Sequence, residues 1–91
     1  MTAIEFTHQL AGMRSTLQAF TRRFTHDRDE SLDLVQDTIL KALTYRDKFR
    51  DDTSLKGWLF TIMRNTFINN YRKNQRARTS NDTTKDLYFL N

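Results

Sequence analysis

The sequence has 91 residues, 37% of them hydrophobic, with no cysteine, no proline and two glycines; that length allows one small domain hiding only about 60% of the surface its unfolded chain exposes. The lack of cysteine excludes a disulfide framework, a zinc finger and thiol catalysis, and with no apolar run near the roughly 20 residues of a membrane span and no secretory signal pattern, a soluble cytoplasmic chain is expected. Net charge is +4 but uneven: residues 1–52 hold 8 Lys/Arg against 9 Asp/Glu, and residues 53–91 hold 7 against 2. That bias points the C-terminal half toward a polyanion, although solvated basic faces are common and charge alone leaves the matter open.

The pattern is all-α: a three-helix bundle with helices over about 4–25, 29–45 and 54–75. In the first, Phe6, Leu10, Met13, Leu17, Phe20 and Phe24 recur at alternating spacings of four and three, a core-facing stripe on one helical face. Gly12 interrupts it at a cost of roughly 1 kcal/mol relative to alanine. "THDRDES" ends the stripe, and Asp27 with Glu30 three residues on is a capping-box arrangement for the second helix. There Leu32, Val35, Ile39, Ala42 and Leu43 are the expected core face. Asp33, Gln36, Asp37, Leu40 and Thr44 fall on the other side, an acidic stripe containing one leucine; a single exposed leucine is ordinary.

"RDKFRDDT" is a polar connection with one aromatic, Phe49, leading to a helix capped by Thr53 or Ser54. On that third helix Leu55, Leu59, Ile62, Met63, Thr66 and Phe67 share a broad core arc. Asn65, Asn69, Arg72 and Arg76 lie within about 60° of one another on a different arc, in line with Trp58. Periodicity leaves open whether Trp58 joins the core or presents its indole to a ligand. From Arg78 the chain reads as a polar linker ending in the apolar "LYFL", which either docks back on the bundle or begins a further element.

Little here resembles catalysis. His8 and His26 are isolated, no cluster has metal-ligand spacing, and neither a phosphate-cradling glycine loop nor a nucleophile elbow occurs. Asp51 and Asp52 read as solvated loop residues. No enzyme activity, cofactor or metal is expected. The third helix instead has the means to bind nucleic acid: arginines one turn apart can meet successive phosphates, asparagine amides can pair with base edges, and an indole can stack on an unstacked base.

Residues 29–76, "DESLDLVQDTILKALTYRDKFRDDTSLKGWLFTIMRNTFINNYRKNQR", resemble region 2 of extracytoplasmic-function (ECF) sigma factors, the promoter-specificity subunits of bacterial RNA polymerase. The carrying pattern is "DLVQDT" on one helix, a short "FR" loop, then "WLFTIMRN" opening the next. The likeness extends over roughly residues 3–78. It implies that Asp33, Gln36, Asp37 and Leu40 bind a coiled coil of the largest subunit of core polymerase. It also implies that the loop from Phe49 through Arg50, Asp52, Thr53 and Ser54 to Leu55 pockets a base flipped from the −10 element. Trp58 then marks the upstream edge of the melted region. Arg64, Asn65, Asn69, Arg72, Lys73 and Arg76 read and hold the non-template strand.

Members of the family carry a second domain, region 4, after a linker such as residues 79–91. The expectation is therefore a region 2 domain over 1–78 followed by a linker or stub, with an anti-sigma factor as a further partner and no membrane contact. Two other readings stay open: a sigma-like mimic that sequesters an anti-sigma factor, and a generic helical nucleic-acid-binding module. The basic face from Arg64 to Arg76 speaks against the mimic.

Overall fold

A computed structural model describes residues 1–78, which form helices and their connections with no strand among them. The helices are α1 (Ala3–Gly12), α2 (Arg14–Phe20), α3 (Arg28–Thr44) and α4 (Leu55–Arg78), with 3-10 turns at Thr21–Arg23 and Arg46–Lys48. The all-α fold is the expected one. The linker and the "LYFL" segment lie outside the described residues.

The expected single helix over 4–25 is two helices and a 3-10 turn. The break falls at Met13 (φ −99°, ψ 8°), whose N–H bonds only three residues back, to Leu10 O at 3.1 Å. A helix-weakening glycine directly before it accounts for the place. A Cβ at Gly12 would meet nothing within 4 Å, so close helix approach is not what Gly12 provides. The apolar stripe survives the break: Phe6, Leu10 and Leu17 are buried, with Met13, Phe20 and Phe24 packed against the core from its edge. α1 starts with a reciprocal capping box, in which Thr2 Oγ1 accepts from Glu5 N–H and Glu5 Oε1 accepts from Thr2 N–H, each at 3.1 Å. The Thr2 backbone N–H, then the Thr2 side chain, hold the Glu5 carboxyl below its usual range.

At the start of α3 the capping box expected from Asp27 and Glu30 is not formed. Asp27 does cap, accepting from Asp29 N–H at 3.3 Å, but its own N–H goes to Thr25 Oγ1 at 3.1 Å. The core face of α3 also differs from expectation. Leu32 and Leu43 are 41% and 36% exposed, whereas Ser31, Leu34, Val35, Thr38 and Ala42 are buried. At about 100° per residue, Leu32 and Leu43 stand roughly 100° round the helix from the Ser31–Thr38 line. Counting only apolar side chains rotated the stripe, because two of its central positions are hydroxyl residues.

Those hydroxyls are buried because their polar atoms are satisfied. Thr38 Oγ1 donates to Leu34 O at 2.7 Å. Gln18 Nε2 donates to Ser31 Oγ at 2.6 Å, Ser31 and Thr21 hydroxyls bond each other, and Thr21 Oγ1 donates to Gln18 O at 2.6 Å. Proton counting then makes Ser31 the donor to Thr21, giving a ring that ties α2 to α3 with every hydroxyl proton used. On α4 the expected core residues are in place: Leu55, Leu59, Met63 and Thr66 are buried, with Ile62 and Phe67 packed at the edge.

Thr66 is the exception to satisfaction, since its Oγ1 is buried with no hydrogen-bond partner among the described residues. Thr66→Val keeps the shape and removes a desolvated hydroxyl. It is expected to stabilise the fold by about 1 kcal/mol, or about 4–8 °C in melting temperature for a domain of this size. Calorimetry showing an unchanged or lowered midpoint would count against the orphaned hydroxyl.

Candidate nucleic-acid interface

α3 presents Asp33, Gln36 and Leu40 to solvent on the side away from the core, with Asp37 half-buried beside them. Leu40 is 64% exposed in the middle of this polar stripe. The burial of Leu34, Val35 and Thr38 fixes the helix rotation, so Leu40 has no route inward. Asn70 of α4 donates to Asp37 Oδ2 at 3.4 Å, which orients that carboxylate at the seam between the two helices.

The connection from Phe49 to Ser54 is built by local hydrogen bonds. Thr53 directs both its Oγ1 and its N–H to Arg50 O, at 2.7 and 3.0 Å, closing a turn. Ser54 is the helix cap: its Oγ accepts from Gly57 N–H at 3.1 Å and its carbonyl accepts from Trp58 N–H at 3.0 Å. Arg50 grips Asp52 in a fork at 3.3 and 3.1 Å, with both side chains largely exposed, so the pair shapes the loop and adds little stability. Asp51 accepts from the Met1 ammonium, a hydrogen bond that is the main cause of the raised pKa of that amine. Both aspartates, expected as freely solvated, thus have partners.

Trp58 and Phe49 are half-buried and packed together, ring centroids 5.2 Å apart, and each meets Phe6 of α1, at 5.9 and 6.0 Å. The indole therefore belongs partly to the core edge and partly to the surface. Beyond it along α4, Asn65, Asn69 and Arg72 are exposed on one line, and Arg76 continues that line. Of the two other cations expected on that face, Lys73 flanks its line one turn on from Asn69 and Arg64 stands to the side. Arg64 is about 100° round from Asn65, next to Phe60. Lys73 lines a groove between α3 and α4 whose opposite wall holds Asp33 and Asp37.

A further aromatic cluster was not anticipated. Phe60 meets Phe20 edge-to-face at 5.2 Å and Phe24 at 5.8 Å, and Phe24 stacks on Phe67 at 5.3 Å. Arg23 lies over the Phe60 ring at 5.7 Å and Lys56 over the Phe20 ring at 6.0 Å. The signal was present in the i, i+4, i+8 run of Lys56, Phe60 and Arg64, which carries one apolar residue among cations and so does not stand out as a stripe. Among the described residues no group of three or more His, Asp or Glu side chains converges as a metal site would, and no helix is long and apolar enough to cross a membrane.

The family profile for sigma-70 region 2 matches residues 12–77. The ECF RNA polymerase sigma factor EcfG of Rhodopseudomonas palustris is 44% identical over 61 residues, which make up 67% of this chain and 34% of that protein. The RNA polymerase sigma factor YlaC of Bacillus subtilis is 47% identical over 51 residues, 56% of this chain and 30% of its own length. Among solved structures, the sigma factor RpoE in complex with the anti-sigma factor NepR from Bartonella quintana superposes with a TM-score of 0.74 at 35% identity, covering 88% of this chain and 49% of that one. The chain thus spans a third to a half of the relatives it matches.

Proposed function

The chain belongs to the sigma-70 region 2 family, and from that membership we propose that residues 1–78 are the region 2 domain of an ECF sigma factor, acting with cytoplasmic RNA polymerase and without catalysis of its own. One face, Asp33, Gln36, Asp37 and Leu40, docks on the coiled coil of the largest core subunit. The line of Asn65, Asn69, Arg72 and Arg76 takes the non-template strand of the promoter −10 element, and the loop of Arg50, Asp52, Thr53 and Ser54 receives a flipped base. Recovering the few kcal/mol of lost stacking falls to that pocket and to the Trp58 edge beside it. The observation that carries this reading is Leu40, exposed in a polar stripe by a helix rotation that the buried residues of α3 dictate. Region 4, which would read the −35 element, is assigned to the part of the relatives that this chain does not span.

The solved relative's complex supports an anti-sigma factor as a second partner of this domain. The mimic reading is disfavoured because Asn65, Asn69 and Arg72 are all exposed on one line, and a domain that never meets DNA has no use for such a face.

The test is fluorescence anisotropy on a labelled library of single-stranded non-template −10 sequences, with and without core polymerase. Binding that sharpens with polymerase and depends on sequence is the expected outcome. Within that assay Arg72→Gln should weaken all sequences about equally and lower the salt slope by about 0.7, whereas Asn65→Ala should change base preference at one position. Identical behaviour of the two variants would dissolve the division between holding and reading.

A further inference from the structure

We propose that Arg23 and Lys56, held over the rings of Phe60 and Phe20, form a second phosphodiester-binding site, which takes the nucleic-acid strand where it leaves the loop of residues 49–54. The inference rests on the reading of α4 as the strand-binding helix and extends it to a surface that this reading leaves without a role.

The first support is the order of the two cations. A lysine or arginine on an open surface samples many rotamers, and fixing it costs side-chain entropy on binding. Here the cations lie 5.7 and 6.0 Å from the ring centroids, and the two rings meet edge-to-face at 5.2 Å. Part of the ordering is therefore done before a ligand arrives.

The second support is charge. The shallow hollow between the two cations is lined by Phe20, Arg23, Ser54, Lys56, Gly57 and Phe60, without a carboxylate. Arg50, by contrast, is already engaged by Asp52. Neither Arg23 nor Lys56 takes part in an ion pair among the described residues, so both charges are available to an anion.

The third support is position. Ser54 both lines the hollow and caps α4 at the end of the base-receiving loop. Phe60 stands about 140–180° round α4 from Asn65 and Asn69. Nucleotides lying on the asparagine line cannot touch Arg23; only the continuation of the strand beyond the loop can. A cation lies over each ring, so a ligand entering the hollow meets charge beside the ring. The site is suited to backbone phosphate and carries no sequence preference. An acidic protein segment would satisfy the charges, but continuity with the loop favours the strand.

The measurement uses the full 91-residue chain and oligothymidylates of about six and about twelve nucleotides, lengths within the usual span of single-strand sites. Arg23→Gln/Lys56→Gln should leave the short probe's affinity unchanged, weaken the long probe about tenfold, and lower its salt slope by about 1.4. Arg72→Gln should weaken both probes, and this arm reports on the underlying reading separately. Circular dichroism of the double variant checks that the fold is kept; Arg23→Lys alone, which preserves the charge and leaves Lys56 in place, should retain most of the long-probe affinity. Equal loss at both lengths, or no loss at either, overturns the proposal. So does binding of an acidic peptide with no response to either oligonucleotide, which would assign the hollow to a protein partner. Absence of long-probe binding by the wild-type chain overturns this site, while the assay with core polymerase decides the strand-binding role of α4.

Discussion

Leu40→Arg is expected to abolish binding to core polymerase while leaving the fold intact, with a loss of at least about a hundredfold in a pull-down or anisotropy titration. The fold should be indifferent, because Leu40 is 64% exposed and stands on the side of α3 away from its buried residues. The interface should not be. A leucine that becomes buried on docking contributes about 1.5–3 kcal/mol, and an arginine in its place adds a desolvated charge with no arranged partner. Together these exceed the roughly 2.7 kcal/mol that a hundredfold represents. Substituting Gln36 at the rim of the same stripe should cost far less, as rim positions generally do. Unchanged co-purification of the Leu40→Arg protein with core enzyme would remove α3 from the interface.

Trp58→Ala is the second large effect, and it is expected first as a loss of stability. Removing a core tryptophan costs about 3–5 kcal/mol, and half-burial puts this site near the lower end. The ring contacts to Phe6 and Phe49 at 5.9 and 5.2 Å are lost as well, each aromatic pair being worth about 0.5–1.5 kcal/mol beyond area. Against a total stability of roughly 5 kcal/mol, typical of the low end for small domains, much of the population would unfold near physiological temperature. A denaturant midpoint equal to that of the wild type would show that the indole is not structural. Trp58→Phe separates the two roles. It keeps an aromatic ring against Phe6 and Phe49, so near-normal stability of this variant with weakened oligonucleotide binding would place the indole edge against DNA.

The helical class, the stripe of Phe6, Leu10 and Leu17, the core face of α4 and the exposure of Leu40 were all legible in the sequence, because each depends on a 3.6-residue period with unambiguous side chains. Three features were not. The break at Met13 was hidden because the apolar spacing runs straight across it; only Gly12 marked the place, and glycine inside a stripe has several meanings. The rotation of α3 was misjudged because Ser31 and Thr38 look polar by composition and become core residues only when Gln18, Thr21 and the Leu34 carbonyl satisfy them. The capping box was expected at Asp27 and is found at Thr2, since a cap is decided by which N–H groups a loop leaves open. On the candidate interface, the shared exposed line of Asn65, Asn69 and Arg72 could be read from spacing alone. Lys73 flanks that line, whereas Arg64, expected with it from the family resemblance, stands about 100° round from Asn65.

The placement of Phe6 gives the first ten residues of the bundle an influence far from where they lie in sequence. At 10 residues, α1 is too short to persist as a helix in isolation. It exists only while Phe6 and Leu10 stay seated in the core. Phe6 in turn forms one corner of a triangle with Phe49, where the 49–54 loop starts, and Trp58, in the first turn of α4 just after it. Local opening of the amino-terminal helix and loosening of the loop are therefore coupled, because both disturb contacts among the same three rings. On the proposed reading of that loop, a change in α1 that raises its opening frequency is expected to weaken base capture without touching DNA.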